Sequence, residues 1–303
     1  MHLSYVCSAR CAFCSEAERM RTFRRRRVTM AHVEATLKHW MPRGVRAVHF
    51  TGGEPTLHPD LLAVLQRCAA LGLRTGLGTN GWRLSEPAYA ARIAPLLDEV
   101  IVSLHGPNAE VHDALTLRPG SFDRAVRALR HVSRPGVNVV VTPASLPTLV
   151  DTVRFAVTLG AAFILISAVS PEGAGNDAYD TLAVPLSAWP AAAEAVVRAV
   201  GDEVPVRFFG LPACALGAAR ARSNDLYWSP RVTVEWAARP TGARLTSVVS
   251  MKPDRGRAPV AACADCPWAK ACAGPFVRYV ERYGDTELCA IGGSDRGTTP
   301  PQP

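Results

Sequence analysis
The feature that most constrains this chain is an alternation of short apolar runs with amphipathic stretches through its first two-thirds. The runs fall at 3–6, 47–50, 75–78, 100–104, 137–142 and 163–168, with helix-period patterns between them. Leu61, Leu62, Leu65, Cys68 and Ala69 share one helical face, as do Phe122, Ala125, Val126 and Leu129, the latter after a helix start at Gly120 and Ser121. The unbroken run Val137, Asn138, Val139, Val140, Val141 suits a strand covered on both faces. Six such strand–helix units predict an α/β fold, a parallel sheet with helices outside, either doubly wound or a partial barrel.

The pattern changes near Pro205. A short run at 206–209 is followed by an expected hairpin, 231–236 with 244–249, turning at Arg239, Pro240, Thr241 and Gly242. A short helix is expected at 276–283, and the Gly-, Thr- and Pro-rich tail at 292–303 reads as disordered. The expected division is therefore 1–204, 205–291 and 292–303. With 48% hydrophobic and 20% charged residues among 303, the chain is neither disordered, collagen-like nor coiled-coil. No apolar run reaches the ~18–20 residues a membrane span needs, and no signal peptide opens the sequence. These features predict a soluble, cytoplasmic protein. Its net charge of +8 is partly local, in Arg21, Arg24, Arg25, Arg26 and Arg27. No aromatic residues interleave with the basic ones, which argues against a nucleic-acid surface and for a solvated basic loop.

Nine cysteines, an odd number, argue for metal binding over a disulfide framework. Cys7, Cys11 and Cys14 form a C-x3-C-x2-C run directly after the first strand. Three thiolates on one tight loop can bind three irons of a 4Fe–4S cube and leave the fourth open for a chelating substrate. Zinc, the competitor, takes four closed ligands in structural sites, and no fourth ligand is near in sequence.

This run, with Phe13 at its aromatic position, resembles the signature of the radical S-adenosylmethionine (radical SAM) enzymes. Thr51, Gly52, Gly53, Glu54 and Pro55, at the end of the second strand, resemble the Gly-Gly-Glu motif of that family. Thr79, Asn80 and Gly81 are similar to its Thr-Asn-Gly, and Ser103 to a serine that helps hold the cofactor. Over roughly 3–170 the resemblance implies a partial (β/α)6 TIM-like barrel. It implies a SAM-binding 4Fe–4S cluster on Cys7, Cys11 and Cys14. Phe13, Thr51, Gly52, Gly53, Glu54, Pro55, Asn80 and Ser103 would contact S-adenosylmethionine, Glu54 at its ammonium group. The implied reaction is one-electron cleavage of the cofactor to methionine and a 5′-deoxyadenosyl radical, which takes a substrate hydrogen. A reductant such as flavodoxin or ferredoxin would supply the electron.

Cys263, Cys266 and Cys272 form a C-x2-C-x5-C run that resembles the family's SPASM and shorter twitch extensions, small α+β domains around an auxiliary 4Fe–4S cluster. The resemblance makes Cys214 the fourth ligand of one auxiliary cluster, with a zinc knuckle as the plainer alternative. Cys68 reads as a core residue. Cys289 is open between packing, a substitute ligand and a hydrogen-atom donor to a product radical. His105, His112, Asp113 and Arg118, and the Gly-rich stretch 170–175, fall where they can line the site or simply cap and pack. The competing class is a basic, zinc-binding, non-catalytic protein that contacts nucleic acid. Within the enzyme reading, the substrate is a ribosomal peptide, a specialised metabolite or a sugar or nucleoside that is epimerised or dehydrogenated. No peptide-recognition domain is expected ahead of the first strand, which weakens the peptide reading without removing it.

Overall fold
The computed structural model describes residues 1–291; the tail expected to be disordered lies outside them. Each apolar run becomes a strand: β1 (His2–Ser4), β2 (Ala47–Gly52), β3 (Arg74–Thr79), β4 (Glu99–Ser103), β5 (Gly136–Val141) and β6 (Phe163–Ala168). A seventh, β7 (Val206–Phe209), follows. The seven pair in parallel in sequence order, with no switch point. That order is a singly wound, barrel-like sheet rather than a doubly wound one, and it stays open between β1 and β7. The run at 206–209, expected to begin the C-terminal part, instead pairs with β6, so the sheet extends past 204 to Phe209. Burial explains it: on this edge strand Val206 and Phe208, 2% and 0% exposed, pack into the core beside β6.

The crossovers carry α1 (Ala17–Phe23) and α2 (Met30–Trp40), then α3 (Leu61–Ala70), α4 (Pro87–Ile93), α5 (Ala109–Thr116), α6 (Ser121–His131) and α7 (Leu149–Thr158). After β6 come the one-turn helices α8 (Ala174–Asp177) and α9 (Tyr179–Leu182), then α10 (Trp189–Val200). On α3 the buried face is Leu61, Val64, Leu65 and Cys68, while Leu62 is half-buried and Ala69 exposed. Cys68 is a core residue, as its spacing predicted.

Beyond the sheet, β8 (Arg231–Arg239) and β9 (Gly242–Ser250) form the expected hairpin, with Pro240 and Thr241 at its turn. β8 packs beside β1: the Trp236 N–H donates to Tyr5 Oη at 2.8 Å. A last helix, α11 (Val277–Tyr283), returns against α9, where Tyr283 Oη donates to the Asp180 carbonyl at 3.1 Å. One core runs through the sheet and takes in Trp236, Phe276 and Tyr279; a small separate one holds Ala213, Trp268 and Ile291.

Candidate active site and second cysteine cavity
The chain leaves β1 and turns at once into the loop that carries Cys7, Cys11 and Cys14, all half-buried free thiols. Two N–H groups pin this loop to the end of α5: Arg10 donates to the Thr116 carbonyl at 3.1 Å and Ala12 to Leu115 at 2.9 Å. From the other side the Ala174 N–H donates to the Cys14 carbonyl at 2.9 Å. A side chain at Gly173 would stand 2.6 Å from that same carbonyl, so the Gly-rich stretch is there to lie on the cysteine loop. Burial pushes the Cys7 and Cys11 thiols up, and Cys14 up to about 11. The Ala9 N–H at 3.4 Å and Asn80 Nδ2 at 3.5 Å from Cys7 Sγ favour its thiolate.

Gly52 and Gly53 let the end of β2 press against the strand that feeds this loop. Gly52 has φ +123°, and a Cβ on it would lie 2.4 Å from the Ser4 carbonyl; one on Gly53 would lie 2.6 Å from that of Val6. The Gly53 and Glu54 N–H groups donate to those same two carbonyls, at 2.6 and 2.8 Å. The Glu54 side chain, 1% exposed, turns inward. Its Oε1 accepts from Thr56 N (3.0 Å), Thr56 Oγ1 (2.6 Å) and Thr79 Oγ1 (2.8 Å), and its Oε2 from Asn80 N (2.8 Å). Burial raises its pKa against those donors. Glu54 therefore ties the end of β2 to the end of β3, a structural duty the tripeptide alone did not reveal. Oε2, with one donor, keeps room for another. Pro55 is buried at the first position of a short 3-10 turn, and Thr51 is half-buried beside it. Asn80 spans to the cysteine loop, its Nδ2 also reaching Ser8 Oγ at 3.0 Å. Ser103, half-buried at the end of β4, has no side-chain partner among the described residues.

Phe13 sits edge-on against the ring of His105, with centroids 4.8 Å apart. His105 is 2% exposed; its Nδ1 accepts from Val140 N at 3.1 Å, and its own N–H donates to His112 Nδ1 at 3.0 Å. The two imidazoles stack at 5.4 Å. Asp113 accepts from Gly120 N, Ser121 Oγ and Phe122 N at 2.6–2.8 Å, capping α6. Burial would raise its pKa, but these bonds outweigh it and hold it low. Arg118 stacks on Trp82 at 4.4 Å. Of this group, capping and packing account for His112, Asp113 and Arg118, while His105 underlies the aromatic residue of the cysteine loop.

The other cysteines gather elsewhere. Cys214, Cys263, Cys266, Cys272 and Cys289 line one cavity with Trp268, Leu288 and Ile291. The Cys272 Sγ accepts from Ala213 N at 3.3 Å and Gly274 N at 3.4 Å. Burial pushes the Cys214 thiol up to about 11, against the neighbouring Cys289 backbone, which favours the thiolate. Cys289 itself is exposed. A buried ion pair organises this cavity, which sequence reasoning missed because nothing in the pattern marks a lone Arg257. Its guanidinium donates to Asp225 Oδ1 (2.8 Å) and to the carbonyls of Leu211 (3.0 Å) and Gly274 (2.7 Å), and Asp225 Oδ2 accepts from Ala273 N (3.1 Å).

Among the described residues no three His, Cys, Asp or Glu side chains stand close enough to hold a single metal ion. A zinc ion needs its ligands gathered around one point, whereas each thiolate on a cube takes a different iron and stands further from the next. Three half-buried loop thiols thus stand at the sheet's C-terminal rim, and five cysteines line a second cavity.

Comparison with known proteins agrees. A family model described as the radical SAM superfamily matches residues 1–153. The chain is 31% identical over 185 residues to the mycofactocin maturase MftC of Mycolicibacterium smegmatis, covering 59% of this chain and 46% of that one. It is 30% identical over 181 residues to a probable GTP 3′,8-cyclase of Thermococcus kodakarensis, 58% of each chain. It thus spans about half the length of these curated relatives. In fold it is similar to Streptococcus suis SuiB bound to the precursor peptide SuiA, with TM-score 0.58 at 19% identity over 68% of this chain and 47% of that one. It is also similar to anSMEcpe with bound AdoMet and the Kp18Cys peptide, with TM-score 0.52 at 16% identity over 68% and 61%. A superfamily match over half the sequence, on the residues that carry the cysteine loop and the Gly-Gly-Glu turn, has one meaning: the chain belongs to the radical SAM superfamily, whose members use a 4Fe–4S cluster and S-adenosylmethionine.

Proposed function
We propose that this chain cleaves S-adenosylmethionine reductively and uses the resulting radical to tailor a ribosomally made peptide. The observation that carries the reading is the cysteine loop itself, pinned at the strands' C-terminal rim and bridged by Asn80 to the Gly-Gly-Glu turn. When bound, the cluster and cofactor supply a 5′-deoxyadenosyl radical that takes a hydrogen atom from the substrate. The chain's own residues position and enclose. Cys7, Cys11 and Cys14 would hold three irons; Phe13, Thr51, Gly52, Gly53, Glu54, Pro55, Asn80 and Ser103 would surround the cofactor, with Ser103 Oγ and Glu54 Oε2 the groups left to bond it.

A peptide substrate is supported by relatives named as a maturase or solved with peptides bound. The second cavity would hold an auxiliary cluster on Cys263, Cys266, Cys272 and Cys214. Its position places Cys289 beside Cys214, which favours a neighbouring or ligating role for Cys289 over hydrogen donation at the first site. Family membership removes support from the zinc-binding, nucleic-acid alternative. Among the described residues no helix is long and apolar enough to cross a membrane. Nine cysteines, seven of them proposed cluster ligands, suit a reducing compartment such as the cytoplasm, where a flavodoxin or ferredoxin would serve as reductant.

Anaerobic reconstitution tests this directly. The chain should take up about eight irons, four per cube, and form 5′-deoxyadenosine from S-adenosylmethionine with dithionite. Changing Cys7, Cys11 and Cys14 together to Ala should remove about half the iron and all of the nucleoside. Continued cleavage by that variant would sink the assignment.

A further inference from the structure
The segment from Arg24 to Arg27 is exposed between two buried anchors and is not neutralised. Phe23 and Val28, 6% and 0% exposed, anchor it at both ends. His58, just beyond the Gly-Gly-Glu turn, has Nε2 2.8 Å from the Val28 carbonyl, which fixes the segment to the rim that carries the cysteine loop. Arg26 lies over Trp236 of β8, at 5.6 Å. Arg24, Arg25 and Arg27 are exposed and have no acidic partner among the described residues; Arg21 alone has one, Asp177 at 3.7 Å. The segment also runs into the N-terminus of α2, which has no acid in its first turn, so the helix dipole adds to the positive potential. Four arginines at that end work against stability, and a solvated loop has no need of them.

We propose that this surface docks an acidic one-electron carrier protein. The inference rests on the proposed reaction, which consumes one electron per cleavage that no residue of the chain supplies; the carrier is oxidised by one electron. Placement favours a carrier over an acidic peptide. In the chain α1, seven residues and about 10 Å long, lies between Cys14 and the segment. An electron crosses such a span through protein, whereas a substrate must bring its hydrogen into contact with the radical. Redox encounters are small and steered by charge, which suits a compact basic projection.

The test replaces Arg24, Arg25 and Arg27 by Gln, leaving Arg26 on Trp236 and Arg21 on Asp177. The probe is a flavodoxin. Binding of the oxidised carrier, read by its flavin fluorescence, should weaken about tenfold at low salt and lose most of its salt dependence. Deoxyadenosine formation should fall by a similar factor with reduced flavodoxin and stay unchanged with dithionite. Unchanged flavodoxin binding, or an equal fall with both reductants, overturns the proposal. So does a fall with dithionite that appears only when a peptide substrate is present, which would assign the patch to the peptide. If the unsubstituted chain cleaves nothing with dithionite, it is the reaction that fails, and the carrier-binding measurement still decides the docking surface.

Discussion

His105 and His112 are buried beneath the cysteine loop with their Nδ1 atoms already accepting backbone N–H groups. Burial holds both neutral: His105 titrates well below the ordinary 6.5, pushed further by His112, and His112 falls to about 4. In the unfolded chain both take up protons near pH 6.5. Across the window from there down to about 4 the unfolded chain therefore binds more protons, so stability rises with pH and is lost on acidification. For His112 the loss is up to about 1.4 kcal/mol per pH unit within that window. Urea unfolding near pH 7 and near pH 5 measures it. His112→Gln, whose amide oxygen can accept the His105 N–H without titrating, should flatten the slope; an unchanged slope would mean that other groups set the acid limit. Glu54 makes the complementary point. Its motif names the residue, yet nothing in the tripeptide shows that the carboxylate turns inward, because that depends on Thr79 and Asn80, donors from another strand.

Among the elements, those legible in the sequence were the ones whose period is set by burial. The strand expected at 163–168 is observed as Phe163–Ala168, and the hairpin forms around its expected turn. β7 was misplaced because four residues after a proline carry little periodicity, and only pairing with β6 decides where they go. The support of the second cavity was illegible for a related reason. Asp225 and Arg257 lie 32 residues apart, and each bonds backbone from segments that carry the cysteines. Both side chains are 2% exposed. Asp225→Asn leaves a buried guanidinium without its counter-charge, a loss of about 3–5 kcal/mol. The variant should melt earlier and reconstitute with about half the iron, four per cube, while still forming deoxyadenosine from the first site. Full iron at the second site would show that the thiols hold their positions without the ion pair.

At the scale of the molecule, the C-terminal part is joined to the sheet at two seams. Near β1, Arg19 binds Glu16, Glu235 and Glu172 at 3.0–3.6 Å, and Arg255 binds Glu172 at 3.0 Å, so the exit of the cysteine loop, the hairpin and the rim loop share one charged network. At the other seam Glu287 accepts from Leu186 N and Ser187 N, both at 3.2 Å, and from the hydroxyls of Tyr279 and Ser187. Two residues on, that anchorage brings Cys289 to the cavity that Cys214 lines, a fifth cysteine where the proposed cluster would take four. Cys214 is half-buried with Cys272, Cys289 and Cys263 all acting on it, whereas Cys289 is exposed. Cys214→Ala should therefore lose about four of the irons, with the surrounding cavity destabilised because metal affinity and folding are linked. Cys289→Ser should keep them and still form product. The reverse pattern in iron count would make Cys289 the fourth ligand and leave Cys214 as its buried neighbour. If Cys289→Ser keeps its iron and consumes S-adenosylmethionine but stalls before product, the thiol serves as a hydrogen-atom donor, since a serine O–H is too strong a bond to replace it. Iron analysis and product analysis on the two variants, side by side, tell these outcomes apart.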